Sequence, residues 1–107
     1  MSVLTVTPQE LHAELESTKP PKLLDVREAS ELAICKLPND YHIPLGMLLD
    51  RVDELDPSDD LVVYCRSGAR SANATAFLAQ RGFKRVRNLE TGIIGWARTV
   101  DPSIPIY

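Results

Sequence analysis

The chain has no surplus of positive charge: 12 Lys and Arg stand against 15 Asp and Glu, a net charge of −3 over 107 residues. That argues against a surface that tracks nucleic acid or an anionic membrane, because both need clustered cations. Apolar runs are short as well, none approaching the roughly 20 residues needed to cross a bilayer, and the start shows no charged-then-apolar leader. Only two cysteines, Cys35 and Cys65, and two histidines, His12 and His42, are present. They offer neither a disulfide framework nor the Cys/His/Asp spacing of a metal site, so a reducing, cytoplasmic setting is expected. There is no internal repeat, low-complexity tract or linker. With 44% hydrophobic residues the chain can fill one core and not two, which predicts a single domain over residues 1–107.

What is present centres on Cys65, Arg66, Ser67, Gly68, Ala69 and Arg70. The apolar, partly β-branched run Leu61–Tyr64 before it reads as a buried parallel strand. Behind it, Ala74, Phe77 and Leu78 recur at helical spacing, predicting a helix from Ser71 to Arg81 with Gly82 as its stop. Cys65 is thereby placed at a strand's carboxyl end, on a loop that feeds a helix N-terminus. Unpaired amides and the positive end of the helix dipole gather there and bind anions. A free thiol has a pKa of about 8.5; a helix N-terminus and neighbouring arginines can bring it to about 7 or below. Gly68 permits the positive-φ geometry of an amide nest. Cys65 is therefore the candidate nucleophile, residues 66 to 70 its anion cradle, with Arg66 and Arg70 set to orient an anionic substrate. A buried structural thiol is the competing reading, and the flanking arginines speak against it.

Three segments, in this order and spacing, resemble the rhodanese family over nearly the whole chain. They are Leu23, Leu24, Asp25, Val26, Arg27 and Glu28 with Glu31; the loop Cys65 to Arg70; and Asn88, Leu89, Glu90, Thr91 and Gly92 followed by Trp96. The resemblance implies an α/β, rhodanese-like fold, a small parallel sheet with helices on both faces. It also implies a sulfurtransferase without a cofactor, carrying sulfur as a persulfide on Cys65 and taking it from a small anionic donor such as thiosulfate or from a protein persulfide. Four residues separate Cys65 from Arg70, the sulfurtransferase length; relatives with one more loop residue are Cdc25-type phosphatases. A phosphatase or arsenate reductase, and a binding module whose thiol is incidental, are the alternatives. A narrower resemblance lies in Glu31 to Pro38, His42 to Gly46 and Val100 to Tyr107, which look like rhodanese domains fused behind E1-like adenylyltransferases. It implies as partners a ubiquitin-like sulfur carrier protein, an adenylating enzyme or a cysteine desulfurase. The adenylating half is absent, so the chain is a stand-alone relative or a domain from a longer protein. It departs from the family pattern at Cys35 and Lys36, at Asn39 and Asp40, and at Thr91, where a second glycine is common. Asn39 can take the left-handed conformation a glycine would.

The remaining elements alternate as a doubly wound sheet requires. Val3–Val6 reads as a strand. Thr7, Pro8 and Glu10 form a capping box with proline at the first helical position, and Leu11 and Leu15 mark that helix's inner face before Lys19, Pro20 and Pro21 end it. Strands are expected over Leu23–Val26, Tyr41–Ile43 and Arg85–Leu89, a short helix over Ala29–Ala33, and a helical turn or two over Ile93–Arg98. Leu48, Val52 and Leu55 predict one further helix, closed by Asp56 to Asp59.

Asp25 and Arg27, at the same sheet edge as Cys65, are expected to brace its loop by hydrogen bonds; the competing reading pairs Arg27 with Glu28 or Glu31. Cys35 is read either as a resolving thiol or, with more weight, as a small packed residue. His12 is expected to be solvated and His42 to pack. Trp96 and Phe83 are assigned to the core, and Lys84, Arg85 and Arg87 to a solvated face able to dock a partner.

Overall fold

The computed structural model describes residues 3–107. Its frame is a five-stranded parallel sheet in the order β1-β5-β4-β2-β3, with β1 at Thr5–Val6, β2 at Lys22–Asp25, β3 at Asp40–His42, β4 at Leu61–Tyr64 and β5 at Val86–Leu89. Strands buried on both faces read as continuous apolar runs. The run that fits best, Leu61–Tyr64, is the central strand and is buried throughout. From β2 the chain moves outward to β3, and from β4 it moves the other way to β5. The crevice at the carboxyl ends of β2 and β4 is thus the switch point where open α/β sheets bind ligands.

Helices α1 (Pro8–Leu15), α2 (Ala29–Leu32), α3 (Leu48–Arg51), α4 (Ala69–Gln80) and α5 (Gly92–Thr99) complete the fold. The Thr7 hydroxyl accepts from the Glu10 amide at 3.1 Å and the Glu10 carboxylate accepts from the Thr7 amide at 2.9 Å, the expected capping box. The segment after β3 departs from the single helix predicted. A 3-10 turn at Leu45–Met47 precedes α3 and another at Val52–Glu54 follows it. No side chain caps the start of α3, β-branched Val52 follows it, and Pro57 bars any continuation. The apolar periodicity is still used, since Leu48 is buried and Val52 and Leu55 pack against the same core. Helix α4 begins two residues earlier than the periodicity suggests, because Gly68 serves as its N-cap at φ 108°.

Alternation along β4 divides the interior in two. Val63 and Cys65 join Leu24, Val26, Ala74 and Leu78 on the α3/α4 face. Val62 and Tyr64 join Leu11, Leu23, Ile93 and Trp96 on the α1/α5 face. Helices therefore cover both faces of the sheet. Phe83 and Trp96 are buried as expected, while Lys84 and Arg85 are exposed. Arg87 departs from the solvated face: it is tied to Glu14 at 2.7 Å and to Asp60 at 3.1 Å. No helix among the described residues is long and apolar enough to cross a membrane.

Helix α5 meets the Cys65 loop end-on. Thr91 and Gly92 enter it at φ 64° and 59°. A Cβ on Gly92 would sit 2.4 Å from the Arg66 carbonyl oxygen and 2.5 Å from that of Cys65. One turn on, a Cβ on Gly95 would sit 1.7 Å from Thr91 Oγ1. Asn39, at φ 58°, takes the left-handed conformation its side chain tolerates. Gly92→Ala adds a backbone clash to a left-handed strain, so it is expected to cost about 2–4 kcal/mol of stability, measured as a lowered midpoint in urea unfolding.

Candidate active site

The loop after β4 curls around the Cys65 sulfur. Sγ accepts from the Gly68 amide at 3.1 Å and from the Ser71 amide at 3.4 Å, with the Ser71 hydroxyl at 3.3 Å. Cys65 is only 1% exposed. Burial works to raise its pKa, but the Ser71 hydroxyl and amide and the amides of Gly68 and Ser67 outweigh it, and the thiol is held below its ordinary value. Donors aimed at a sulfur favour its thiolate. Behind the loop, the Ile93 amide donates to the Cys65 carbonyl at 2.9 Å and the Ile94 amide to that of Arg66 at 3.1 Å. These are first-turn amides of α5, which have no partner within their own helix.

Ser71 is a site residue that the sequence pattern assigned only to a helix start. Its hydroxyl lies 2.5 Å from Asn88 Oδ1, and Asn88 Nδ2 donates to the Gly68 carbonyl at 3.2 Å. A hydroxyl has one proton and two acceptor positions. Directed to Asn88, it leaves a lone pair for a protonated thiol; directed to Sγ, it stabilises the thiolate. The signal was present in the sequence, since Asn88 is a polar residue between the apolar positions Val86 and Leu89 of a strand, and a buried group of that kind requires a partner.

The arginines are arranged differently from expectation. Arg70 does not stand open to an anion: Nη1 and Nη2 reach the two Glu31 carboxylate oxygens at 2.6 and 2.9 Å. The Arg70 fork, aided by the hydroxyl of Tyr107 and set against partial burial, brings Glu31 down to about 2. Arg66 donates through Nε to the main-chain oxygen of Tyr107 and lies over that ring, 5.3 Å from its centroid. Ser67 and Ala69 are exposed on the loop.

Asp25 and Arg27 form a pair in which both side chains are fully buried, but among the described residues neither hydrogen-bonds to residues 65–70. Arg27 instead donates to the carbonyl of Cys35 at 2.7 Å and to the Tyr107 hydroxyl at 3.0 Å. The reason is strand parity. Asp25 aligns with Tyr64 and Arg27 stacks on the Tyr64 ring, on the face opposite Cys65. Their influence on the loop runs through Tyr107, which donates to Glu31 at 2.6 Å. Burial and Glu31 push the Tyr107 phenol up to about 12, so it keeps the proton it donates.

Cys35 lies half-buried, its Sγ 3.6 Å from the Pro105 carbonyl and 4.0 Å from Arg27 Nη1, packed with the α1/α5 face. That is the packed small residue, on the other side of the sheet from Cys65. His42 Nε2 meets the Arg27 carbonyl at 2.7 Å and stays away from the thiol. His12 is exposed, edge-on to Trp96.

Removing the Ser71 hydroxyl withdraws one of the contacts that hold the thiol down. In Ser71→Ala the inflection of Cys65 alkylation rate against pH is expected to move to higher pH, with slower alkylation at neutrality. An unmoved inflection would leave the amides alone in control.

Comparison with known proteins agrees with this geometry. The model of the rhodanese-like domain matches residues 7–99. A sulfurtransferase of Allochromatium vinosum is 41% identical over 90 residues, covering 84% of each chain. The maize adenylyltransferase and sulfurtransferase MOCS3-1 is 33% identical over 95% of this chain, which spans 23% of that protein's length. A crystal structure of a rhodanese-like domain protein from Staphylococcus aureus superposes with a TM-score of 0.84 at 28% identity, covering 97% of this chain and 98% of the other. These matches support sulfurtransferase activity at the level of the family, and with the loop around Cys65 and the parallel sheet beneath it they show that the chain belongs to the rhodanese family.

Proposed function

We propose that residues 1–107 work as one rhodanese-like domain in the cytoplasm, moving sulfane sulfur by double displacement through Cys65 without a cofactor. The observation that carries this reading is the sulfur of Cys65 receiving the amides of Gly68 and Ser71 and the hydroxyl of Ser71 within 3.4 Å. A binding module has no use for a thiol held in that state, and a loop of four residues between Cys65 and Arg70 leaves less room for a tetrahedral phosphoryl or arsenate group than a longer one would.

With thiosulfate as donor, the Cys65 thiolate attacks the outer sulfur, the S–S bond to the sulfonate breaks, and sulfite leaves with the electron pair. Cys65 becomes a persulfide anion. The inward amides of Ser67, Gly68 and Ser71 then face its charge. A nucleophile such as cyanide removes the terminal sulfur as thiocyanate and restores the thiolate. Arg66 meets the anionic donor at the rim; Ser67, Gly68, Ala69 and Arg70 shape the cradle; Asp25 and Arg27 support it at one remove.

The acceptor in the cell is proposed to be a ubiquitin-like sulfur carrier protein, with an adenylating enzyme as co-partner and a cysteine desulfurase as a source of protein-bound persulfide. The support is the narrower resemblance of Glu31 to Pro38 and Val100 to Tyr107, together with the maize relative, whose name joins adenylyltransferase and sulfurtransferase. The Cys65 persulfide attacks the carrier's acyl-adenylate and releases AMP. A thiol reductant then frees the carrier thiocarboxylate from the acyl disulfide.

Cys65→Ser is expected to abolish thiosulfate-to-cyanide transfer and to take up no sulfur after thiosulfate treatment, read by intact mass. Cys35→Ser should keep most of both. Equal losses in the two variants would overturn the assignment. Carrier thiocarboxylate, followed by mass spectrometry in a mixture with adenylating enzyme and cognate carrier, should rise with the wild type and not with Cys65→Ala. No rise with the wild type would remove the carrier and leave the general sulfurtransferase.

A further inference from the structure

The two sides of the Cys65 loop differ in charge. On the α2 side, Glu31 holds both Arg70 terminal nitrogens and receives the Tyr107 hydroxyl. The guanidinium is neutralised there by a fixed carboxylate. On the α5 side lies a groove of about 470 Å³, lined among others by Arg66, Ser67, Thr91, Ile94, Arg98 and Ile106, with no carboxylate in its walls. Thr91, Ile94, Gly95 and Arg98 follow the i, i+3, i+4, i+7 spacing that sets side chains on one helix face. Gly95 keeps the floor low. Among the described residues Arg70, Arg27, Arg87 and Arg51 are each paired with a carboxylate. Arg66, Arg81, Arg85 and Arg98 have no side-chain carboxylate partner among the described residues; of these, Arg98 and Arg66, whose Nε is taken by the main-chain oxygen of Tyr107, line this groove.

Two guanidiniums that no side-chain carboxylate holds, flanking an aliphatic strip, suit one class of ligand, a short organic chain that carries carboxylates. Its reacting end would lie toward Arg66 and Ser67, beside the thiol. Thiosulfate is too small to fill a groove of that volume. We propose that Arg98, with Arg66, is a specificity-determining residue that holds the carboxylate-bearing body of a low-molecular-weight thiol or its persulfide in this groove, while Glu31 closes the opposite side of the loop to anions.

The inference rests on the sulfurtransferase reading for its chemistry: the Cys65 thiolate takes the terminal sulfur of R–S–SH, the S–S bond breaks, and R–S⁻ leaves; the reverse step loads a thiolate acceptor. Binding itself does not need that reading, so the test separates the two. S-methylglutathione, which is anionic and carries no reactive thiol, is expected to protect Cys65 from iodoacetamide, with the adduct located by peptide mass. In Arg98→Glu the half-protecting concentration should rise roughly tenfold, the scale of a reversed charge near a surface, and Arg98→Lys should recover most of the protection. In sulfur transfer from thiosulfate, Arg98→Glu should lower kcat/KM for glutathione as acceptor and spare uncharged 2-mercaptoethanol. Equal protection of wild type and Arg98→Glu, or protection of neither, overturns the groove assignment. Intact protection in a wild type that transfers no sulfur would instead overturn the sulfurtransferase reading and leave the groove standing.

Discussion

The thiol's environment depends on the Cys65 and Arg66 carbonyls being held from behind by the first-turn amides of α5. A peptide unit whose carbonyl is fixed outward turns its amide the other way. Two such anchors at the start of the loop commit the following amides to the sulfur. Helix α5 supplies these donors at no cost to its own ladder, because its first amides have no internal acceptors. The approach is close enough that only glycine fits at position 92. Cradle and helix are in this sense a single object: the loop needs the helix end to orient it, and the helix end needs the loop to satisfy it.

A second system stabilises the rim rather than the floor. Asp25, Arg27, Tyr107, Glu31 and Arg70 form a chain of alternating donors and acceptors from the end of β2 to the last residue of the loop. Its buried end is the costly part, since a charge removed from water is tolerated only when fully paired. Arg27 meets that requirement with Asp25, the Cys35 carbonyl and the Tyr107 hydroxyl. Burial lowers the pKa of Arg27, but Asp25 and Tyr107 outweigh it and keep the guanidinium charged. The C-terminal residues 101–107, loosely specified by their sequence, are thereby drawn across the site.

The parts of the fold legible in the sequence were those fixed by local pattern. Leu61–Tyr64 announced a buried parallel strand, Thr7 to Glu10 a capped helix, and Cys65 to Arg70 the loop that leads from that strand into a helix. What was hidden depended on partners distant along the chain. Nothing near Arg70 shows that Glu31, 39 residues earlier, will take its charge, and nothing near Arg27 shows that it will stack on Tyr64 and Tyr107. Parity settles such matters: one residue's shift along a strand exchanges the two faces of a sheet, so adjacent Tyr64 and Cys65 serve different cores. The broken helix around Leu48–Leu55 is the converse case, in which apolar periodicity identified the buried side chains but not the backbone that presents them.

Thr91 and Gly95 carry an implication for how this sequence can drift. The left-handed backbone at Thr91 directs its side chain into the space a methyl group at position 95 would fill, 1.7 Å from the hydroxyl and 2.5 Å from Cβ; the next neighbour, Pro8 Cγ, is at 3.5 Å. The restriction at 95 is thus imposed by the side chain at 91 and not by the helix or by α1. A glycine at 91 would relieve its own backbone strain and at the same time permit alanine at 95. These two positions constitute one inherited choice. A lineage that replaces the threonine gains freedom at the floor of the neighbouring groove, and one that retains it has the depth of that groove decided in advance.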